Sequence, residues 1–293
     1  MRGLIVAALF VLLLAAGDRA AAGLIGRILG FSADSFATLY SGRGRADVVV
    51  LGNSRVFFGL DFGRLVEIVQ GRVLNLSLPG APTVFSAAVL GDYLDRYGPP
   101  RVVVLEISNT HNTLQEVTQN NAYMTQSRRL AALIRETSPR LFYAGQLSHL
   151  FNYNSDYIFN VLVKIFLPVK EQRLDGTLTA AEAALAATHF ADNYFSPLPA
   201  NVAAMREIVA LADRYGFDLR LYQAPTIPDY AATNHAVELT ALVHSLAEGR
   251  KLWDYGQGPI DQPSLFSDFV HLNRAGVDAF MAVVQRDGLF AVN

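Results

Sequence analysis

Five short runs rich in β-branched and aromatic residues, spaced by longer stretches with helical periodicity, constrain this chain more than any other feature. They are "ADVVVLG" from Ala46, "RVLNLS" from Arg72, "PRVVVLEIS" from Pro100, "FDLRLYQAP" from Phe217 and "KLWDYG" from Lys251. Between them lie "DFGRLVEIVQG" from Asp61, "TVFSAAVLGDYLDRYG" from Thr83 and "NVAAMREIVALADRYG" from Asn201, each ending on a glycine of the kind that caps a helix C-terminus. Strand, helix, strand in regular alternation implies right-handed crossovers and a parallel sheet covered on both faces. The pattern predicts an α/β fold, a three-layer sandwich around a five-stranded parallel sheet, flavodoxin-like in outline.

The rhythm is interrupted twice. At the start, Arg2 precedes an uncharged run from Gly3 to Gly17, closed by Asp18 and Arg19. A charged start followed by about fifteen apolar residues has the form of an export signal or, if "AAAGLIGRILGF" extends it, of an uncleaved anchor. Residues 1–22 are therefore read as a signal peptide or N-terminal membrane anchor, 23–45 as a linker containing "SGRGRAD", and 46–293 as the folded domain. An exported location follows, periplasmic or otherwise extracytoplasmic, with the chain tied to the cytoplasmic membrane if the segment is an anchor. The second interruption runs from about 111 to 199. It shows helical pieces, "QSRRLAALIRET", "DYIFNVLVKIFLP" and "TAAEAALAATHFADNYF", but no strand pair, and it reads as a helical insertion. The twelve-residue piece Asp156–Leu167 is too short to span a bilayer and reads either as a core helix of the insertion or as a surface for a membrane or membrane partner.

Composition narrows the chemistry. With 24 Lys plus Arg against 26 Asp plus Glu, the formal charge is −2, so there is no basic surface of the kind that binds nucleic acid. There is no cysteine, which excludes a thiolate nucleophile and Cys-ligated zinc and leaves oxygen or nitrogen for any nucleophilic role.

In open parallel sheets the ligand site lies beyond the carboxyl ends of the strands. After the first run comes "LGNSRVFFGLD", placing Ser54 in the turn that enters a helix, where its hydroxyl is exposed and the first helical N–H groups can face an oxyanion. Gly52, Asn53 and Ser54 also suit a plain turn with a helix cap. More than two hundred residues later, "SLFSDFVHLNRAGVDAF" holds Asp268 and His271 just before the last helix. That spacing lets the carboxylate reach Nδ1–H and leaves Nε2 free to take a proton from serine, although Asp268 could equally be a turn residue. No second histidine or carboxylate follows at metal-ligand spacing. Ser54, Asp268 and His271 together make a complete candidate triad.

These segments resemble the SGNH (GDSL-like) hydrolase superfamily. "VVVLGNSRVFFGLD" looks like its first block, with Asn53 in place of the usual Asp, and "SDFVHLNRAG" looks like its last. "LNLSLPGAP" resembles the second block, which implies that Gly80 lends a backbone N–H to the oxyanion hole beside that of Ser54. "EISNTHN" stands where the third block belongs, so the resemblance makes Asn109 the oxyanion amide, with Asn112 its rival. It covers roughly 46–110 and 200–293. It implies a serine-dependent acyl-ester hydrolase or O-acyltransferase that works without metal or organic cofactor. An N-terminal membrane segment, a "GNSR" turn and a long insertion are similar to exported members that act in alginate or cellulose O-acetylation and teichoic-acid D-alanylation. For those the substrate is an acylated or acceptor polysaccharide and the partner a membrane-bound O-acyltransferase. The alternative is a catalytically degenerate relative that binds polysaccharide or serves as a scaffold in such a system.

Several other residues stand close to this constellation. Arg55 could bind an anionic group or pack at a helix end, and His111 could join the site or stay solvated. Phe57 and Phe58 are expected to pack the first helix on the sheet. Trp253 and Tyr255 read as core aromatics that could otherwise stack on a sugar. His149, His189, His235 and His244 read as surface or core histidines of helical segments.

Overall fold

The computed structural model describes residues 1–167, 173–185 and 196–292. The five expected runs form the five strands β1 (Val48–Leu51), β2 (Val73–Asn75), β3 (Val102–Glu106), β4 (Asp218–Gln223) and β5 (Leu252–Asp254). All four pairings are parallel and the spatial order is β2-β1-β3-β4-β5. This is the three-layer α/β sandwich expected, with the strand order of the flavodoxin-like class. β1 and β3 are buried at every position, as central strands covered on both faces must be.

Alternation along the strands sends Val48, Val50, Val102 and Val104 to one face, where they join a core with Leu65 and Val69 of the Phe62–Val69 helix and Val277, Phe280, Met281 and Val284 of the Arg274–Asp287 helix. Val49, Leu51, Val103 and Leu105 point the other way and are equally buried. That face is left to the Thr83–Tyr97 and Pro199–Tyr215 helices, which pack on each other. The glycine stops hold at Gly98 and Gly216, which follow these two helices with φ of 73° each. The Phe62–Val69 helix differs: its left-handed cap is Gln70, at φ 51°, one residue before the expected Gly71.

The chain divides into two compact units. One comprises Arg45–Thr113 with Glu171–Asn293 and contains the whole sheet. The other comprises Met1–Gly44 with Leu114–Lys170 and is entirely helical in its regular structure. The insertion expected over about 111–199 is thus shared between them: 114–170 joins the N-terminal segment, while 171–199 belongs to the sheet unit. The helical reading holds for Arg128–Thr137 and Asp156–Phe166, and "TAAEAALAATHFADNYF" starts as the helix Ala180–Ala184 behind a Thr179–Glu182 capping box. Residues 186–195 of that stretch, with His189, lie outside the described residues.

A single helix covers Arg2–Leu29, and among the described residues it is the one long and apolar enough to cross a membrane, with a mean hydropathy of 2.1 over its most apolar window. The segment read as a linker is largely ordered. It holds the last turns of this helix and a second helix, Ser35–Tyr40, capped by the Asp34 side chain. Asp34 also accepts hydrogen bonds from the hydroxyls of Tyr123 and Tyr157, which fastens the N-terminal segment to the 114–170 helices.

Candidate active site

The strand order reverses direction between β1 and β3, so the crevice at their carboxyl ends is the topological switch point where α/β sheets place ligands. β1 delivers Gly52, Asn53 and Ser54 to that crevice, and β3 delivers Glu106 to Asn109. Gly52 has φ of 151°, and a Cβ there would come within 2.4 Å of Val56 and 3.0 Å of the Glu106 Cβ. The backbone must pass close to β3 to turn out of the sheet, which only glycine permits. Gly52→Ala is expected to lower thermal stability, because the strain falls on the turn that holds Ser54; melting curves check this.

Asn53 caps the short Ser54–Phe57 helix by accepting from the Arg55 N–H at 3.0 Å. Ser54 thereby becomes the first helical residue, whose N–H has no intrahelical acceptor. Its hydroxyl lies 2.8 Å from His271 Nε2. His271 Nδ1 lies 2.8 and 3.0 Å from the two Asp268 carboxylate oxygens. The carboxylate also accepts the backbone N–H groups of Val270 and His271, both at 2.9 Å. Burial pushes the Asp268 carboxyl up, but the His271 ring and these two N–H groups outweigh it and hold the group below its ordinary value. The three residues proposed from sequence are therefore assembled with the hydrogen-bond geometry of a serine nucleophile, a base and an orienting carboxylate. Phe58, expected to be a packing residue, stands edge-on to the His271 ring with centroids 6.2 Å apart and walls the site.

Gly80 sits just beyond β2 in a turn at φ 73°, with Leu78 N–H bonded to Gly52 O at 3.1 Å, so the second strand end is tied to the nucleophile turn. Asn109 does not meet Ser54. It is completely buried, its amide donating to Ser86 Oγ at 3.4 Å and its carbonyl accepting from Thr83 Oγ1 at 2.9 Å. Both partners belong to the Thr83–Tyr97 helix, so Asn109 fastens the end of β3 to that helix and is closed off from solvent. The rival Asn112 is half-buried and donates to Ala81 O at 3.1 Å.

Arg55 is buried rather than available to an anion. Its guanidinium donates to Ala224 O and to Pro225 O at 3.2 Å and lies 3.5 Å from the fully buried Glu106. Glu106 accepts from Ser108 N–H at 3.1 Å and Ser108 Oγ at 2.7 Å, and Ser108 Oγ in turn accepts from the Asn53 amide at 3.1 Å. A closed polar relay beneath Ser54 thus joins the ends of β1, β3 and β4. The sequence signal for it was a charged residue closing an otherwise apolar strand, "VVVLE".

The base loop is also clasped from outside. Leu178 N–H bonds Phe266 O at 2.8 Å, Arg274 N–H bonds Leu174 O at 3.1 Å, and the Asn273 amide donates to Gly176 O at 3.1 Å. Asn273 caps the last helix through Gly276 N–H at 3.0 Å and also donates to Ser264 O at 2.8 Å, so one side chain closes the loop that carries Asp268 and His271.

His111 pairs edge-on with His235, ring centroids 5.0 Å apart. Burial first, then the charges of His235 and Arg55, push the His111 imidazole down from 6.5 to about 4. The unfolded chain therefore takes up a proton that the folded chain refuses, so the contribution of His111 to stability is full above pH 6.5 and is lost as pH falls toward 4. An NMR titration should show His111 changing near pH 4, and His235→Ala should move that midpoint up. His244 lies on the Asn234–Leu246 helix and His149 in the other unit. Tyr255 is core, whereas Trp253 is half-buried under the Lys251 ammonium at 4.4 Å. Among the described residues no group of three or more His, Asp or Glu is placed to hold a metal ion. Neither the protein-family models nor the curated proteins compared with this chain give a match.

Proposed function

We propose that this chain is an SGNH-type serine acyl-ester enzyme, an esterase or O-acyltransferase acting outside the cytoplasmic membrane on an acylated polysaccharide. The observation that carries the reading is the unbroken line from Asp268 through His271 to the Ser54 hydroxyl, 2.8 Å at each step. His271 takes the Ser54 proton as Oγ attacks the ester carbonyl, and the imidazolium is stabilised by Asp268. The oxyanion is received by the N–H groups of Ser54 and Gly80. Collapse expels the alcohol, which takes its proton from His271, and leaves an acyl-Ser54 ester. Water or a sugar hydroxyl, deprotonated by the same imidazole, then releases the acyl group. Asp268 is 51 % exposed, so the triad lies near the surface, where a polymer can reach it. Export through the N-terminal helix would bring the enzyme to envelope polymers and to a membrane-bound O-acyltransferase as donor.

A binding or scaffold role is favoured by one observation, the burial of Asn109, which takes the first-choice oxyanion amide out of reach and leaves only its rival Asn112. The two readings part on a simple assay. The full chain in detergent is expected to hydrolyse an activated acetate ester, and an added oligosaccharide acceptor should divert acetyl from water to sugar if transfer is its role. Absence of turnover, or turnover unaffected by Ser54→Ala, would leave the binding role.

A further inference from the structure

The lower part of the Arg2–Leu29 helix is built into the helical unit rather than attached to it by a tether. The Asp18 carboxylate caps the Leu150–Tyr153 turn, accepting from Ser148 Oγ, from His149 N–H at 2.7 Å and from Leu150 N–H at 3.2 Å. Ala22 and Leu29 are buried, and Gly26 faces the Tyr153 hydroxyl so closely that a Cβ would lie 2.9 Å from it. Above this point the helix is bare, with Leu4 to Leu14 exposed. Beside Asp18 the same unit exposes Leu147 at 82 % and, less fully, Leu150 and Phe151.

Against this helix opens a cavity of about 630 Å³, lined among others by Arg19, Arg27, Arg43, Gly26, Gly30 and Tyr153. Arg43 is held there by Gly30 O and by Ser32 O at 2.8 Å, and Arg19 leans on Asp18 at 3.4 Å, so the arginines are arranged around the opening. The level of this cavity in a bilayer follows from the helix itself. Counting from Arg2, the roughly 20 residues that cross a hydrocarbon core of about 30 Å end near Ala22. The headgroup layer beyond it is about 5–7 Å thick on each side, or some four residues of helix, which reaches Gly26 and Arg27. Arg27, and Arg43 beside Gly30 and Ser32, therefore fall at the depth of lipid phosphates. Arg19 starts less than a turn inside the hydrocarbon edge and reaches that layer through its long side chain, while Leu147, Leu150 and Phe151, beside Asp18, fall among the acyl-chain ends.

We propose that residues 1–22 are a retained membrane anchor and that the cavity between this helix and the 114–170 helices binds the headgroup of an anionic phospholipid. Gly23, with open space where a Cβ would stand, leaves room on the helix face for the headgroup, and the three arginines supply its counter-charge. The proposal is independent of the chemistry at Ser54.

The purified full chain tests it. Intact mass should include residues 1–22. In floatation or thermal-shift titrations, vesicles of phosphatidylcholine with a quarter phosphatidylglycerol should bind and protect the chain more strongly than pure phosphatidylcholine. Arg27→Gln should weaken the anionic preference about fivefold, the equivalent of ~1 kcal/mol per interfacial arginine, while Arg27→Lys should keep most of it. Because the chain lacks cysteine, Leu147→Cys carrying a fluorophore gives a second readout, quenching by nitroxide-labelled lipid. Loss of residues 1–22 from the mature chain, equal response to both vesicle types, the same protection by inorganic phosphate, an Arg27→Gln chain that keeps full preference, or an unquenched label at 147 would each overturn the proposal.

Discussion

Ser54→Ala is expected to reduce kcat on an activated acetate ester by about 10⁴ to 10⁶, the range seen when one member of a serine triad is removed. His271→Ala should fall in the same range, and the double variant should be no worse than either, since nucleophile and base act as a unit. Asp268→Ala should cost less. Its carboxylate is half exposed, so water screens part of its field and can replace part of its hydrogen bonding to Nδ1. Because the Asp268 carboxyl is held below its ordinary 3.8, it remains ionised above about pH 4, and its grip on the ring fails only in more acidic solution. Stability contributed by this depressed carboxyl is likewise present above pH 3.8 and lost as pH falls through the folded value. Circular dichroism on each variant separates lost chemistry from lost fold.

The second large effect concerns stability. Arg55 and Glu106 are 6 % and 0 % exposed, so removing either leaves the other charge buried beneath the nucleophile turn. Breaking such a pair costs about 3–5 kcal/mol. Glu106→Ala strips the acceptor from Ser108 and the counter-charge from Arg55. Arg55→Ala leaves the carboxylate with Ser108 and frees two carbonyls after β4. Each single variant should lower the denaturation midpoint strongly, and the double Arg55→Met, Glu106→Leu should recover part of the loss because no unpaired charge remains. Chemical denaturation with unchanged m-values reads this directly. If both single variants unfolded within about 0.5 kcal/mol of the parent, the range of ordinary surface substitutions, the relay would not be what holds Ser54 in place.

Legibility followed the range of the interactions. The five strands were readable because β-branched runs are local and the apolar stretches between them have helical period, and the glycine caps at Gly98 and Gly216 are local as well. Ser54, Asp268 and His271 were readable for a different reason: a nucleophile in a strand-to-helix turn and a base three residues from its carboxylate each leave a short pattern. What escaped was non-local. Asn109 looks like a site residue in "EISNTHN", but its amide is consumed by Ser86 and Thr83, more than twenty residues earlier in the chain. Arg55 reads in sequence as an anion ligand or a residue packed at a helix end, and only the enclosure by β3 and the loop after β4 decides for burial. The clasp of 174–178 over the Asp268–His271 loop uses mainly backbone atoms, which carry no sequence signature. Asp18 reads in sequence as the end of an apolar run, and only the fold shows that it caps a turn 130 residues away.

The central claim is that Ser54 is a nucleophile activated by His271. The most direct measurement is reaction of the full chain with a serine-directed fluorophosphonate, followed by intact mass and peptide mapping. One adduct per chain on the peptide containing Ser54, absent from Ser54→Ala and strongly slowed in His271→Ala, is the result expected. No adduct on a folded chain, or an adduct on another residue, would contradict it.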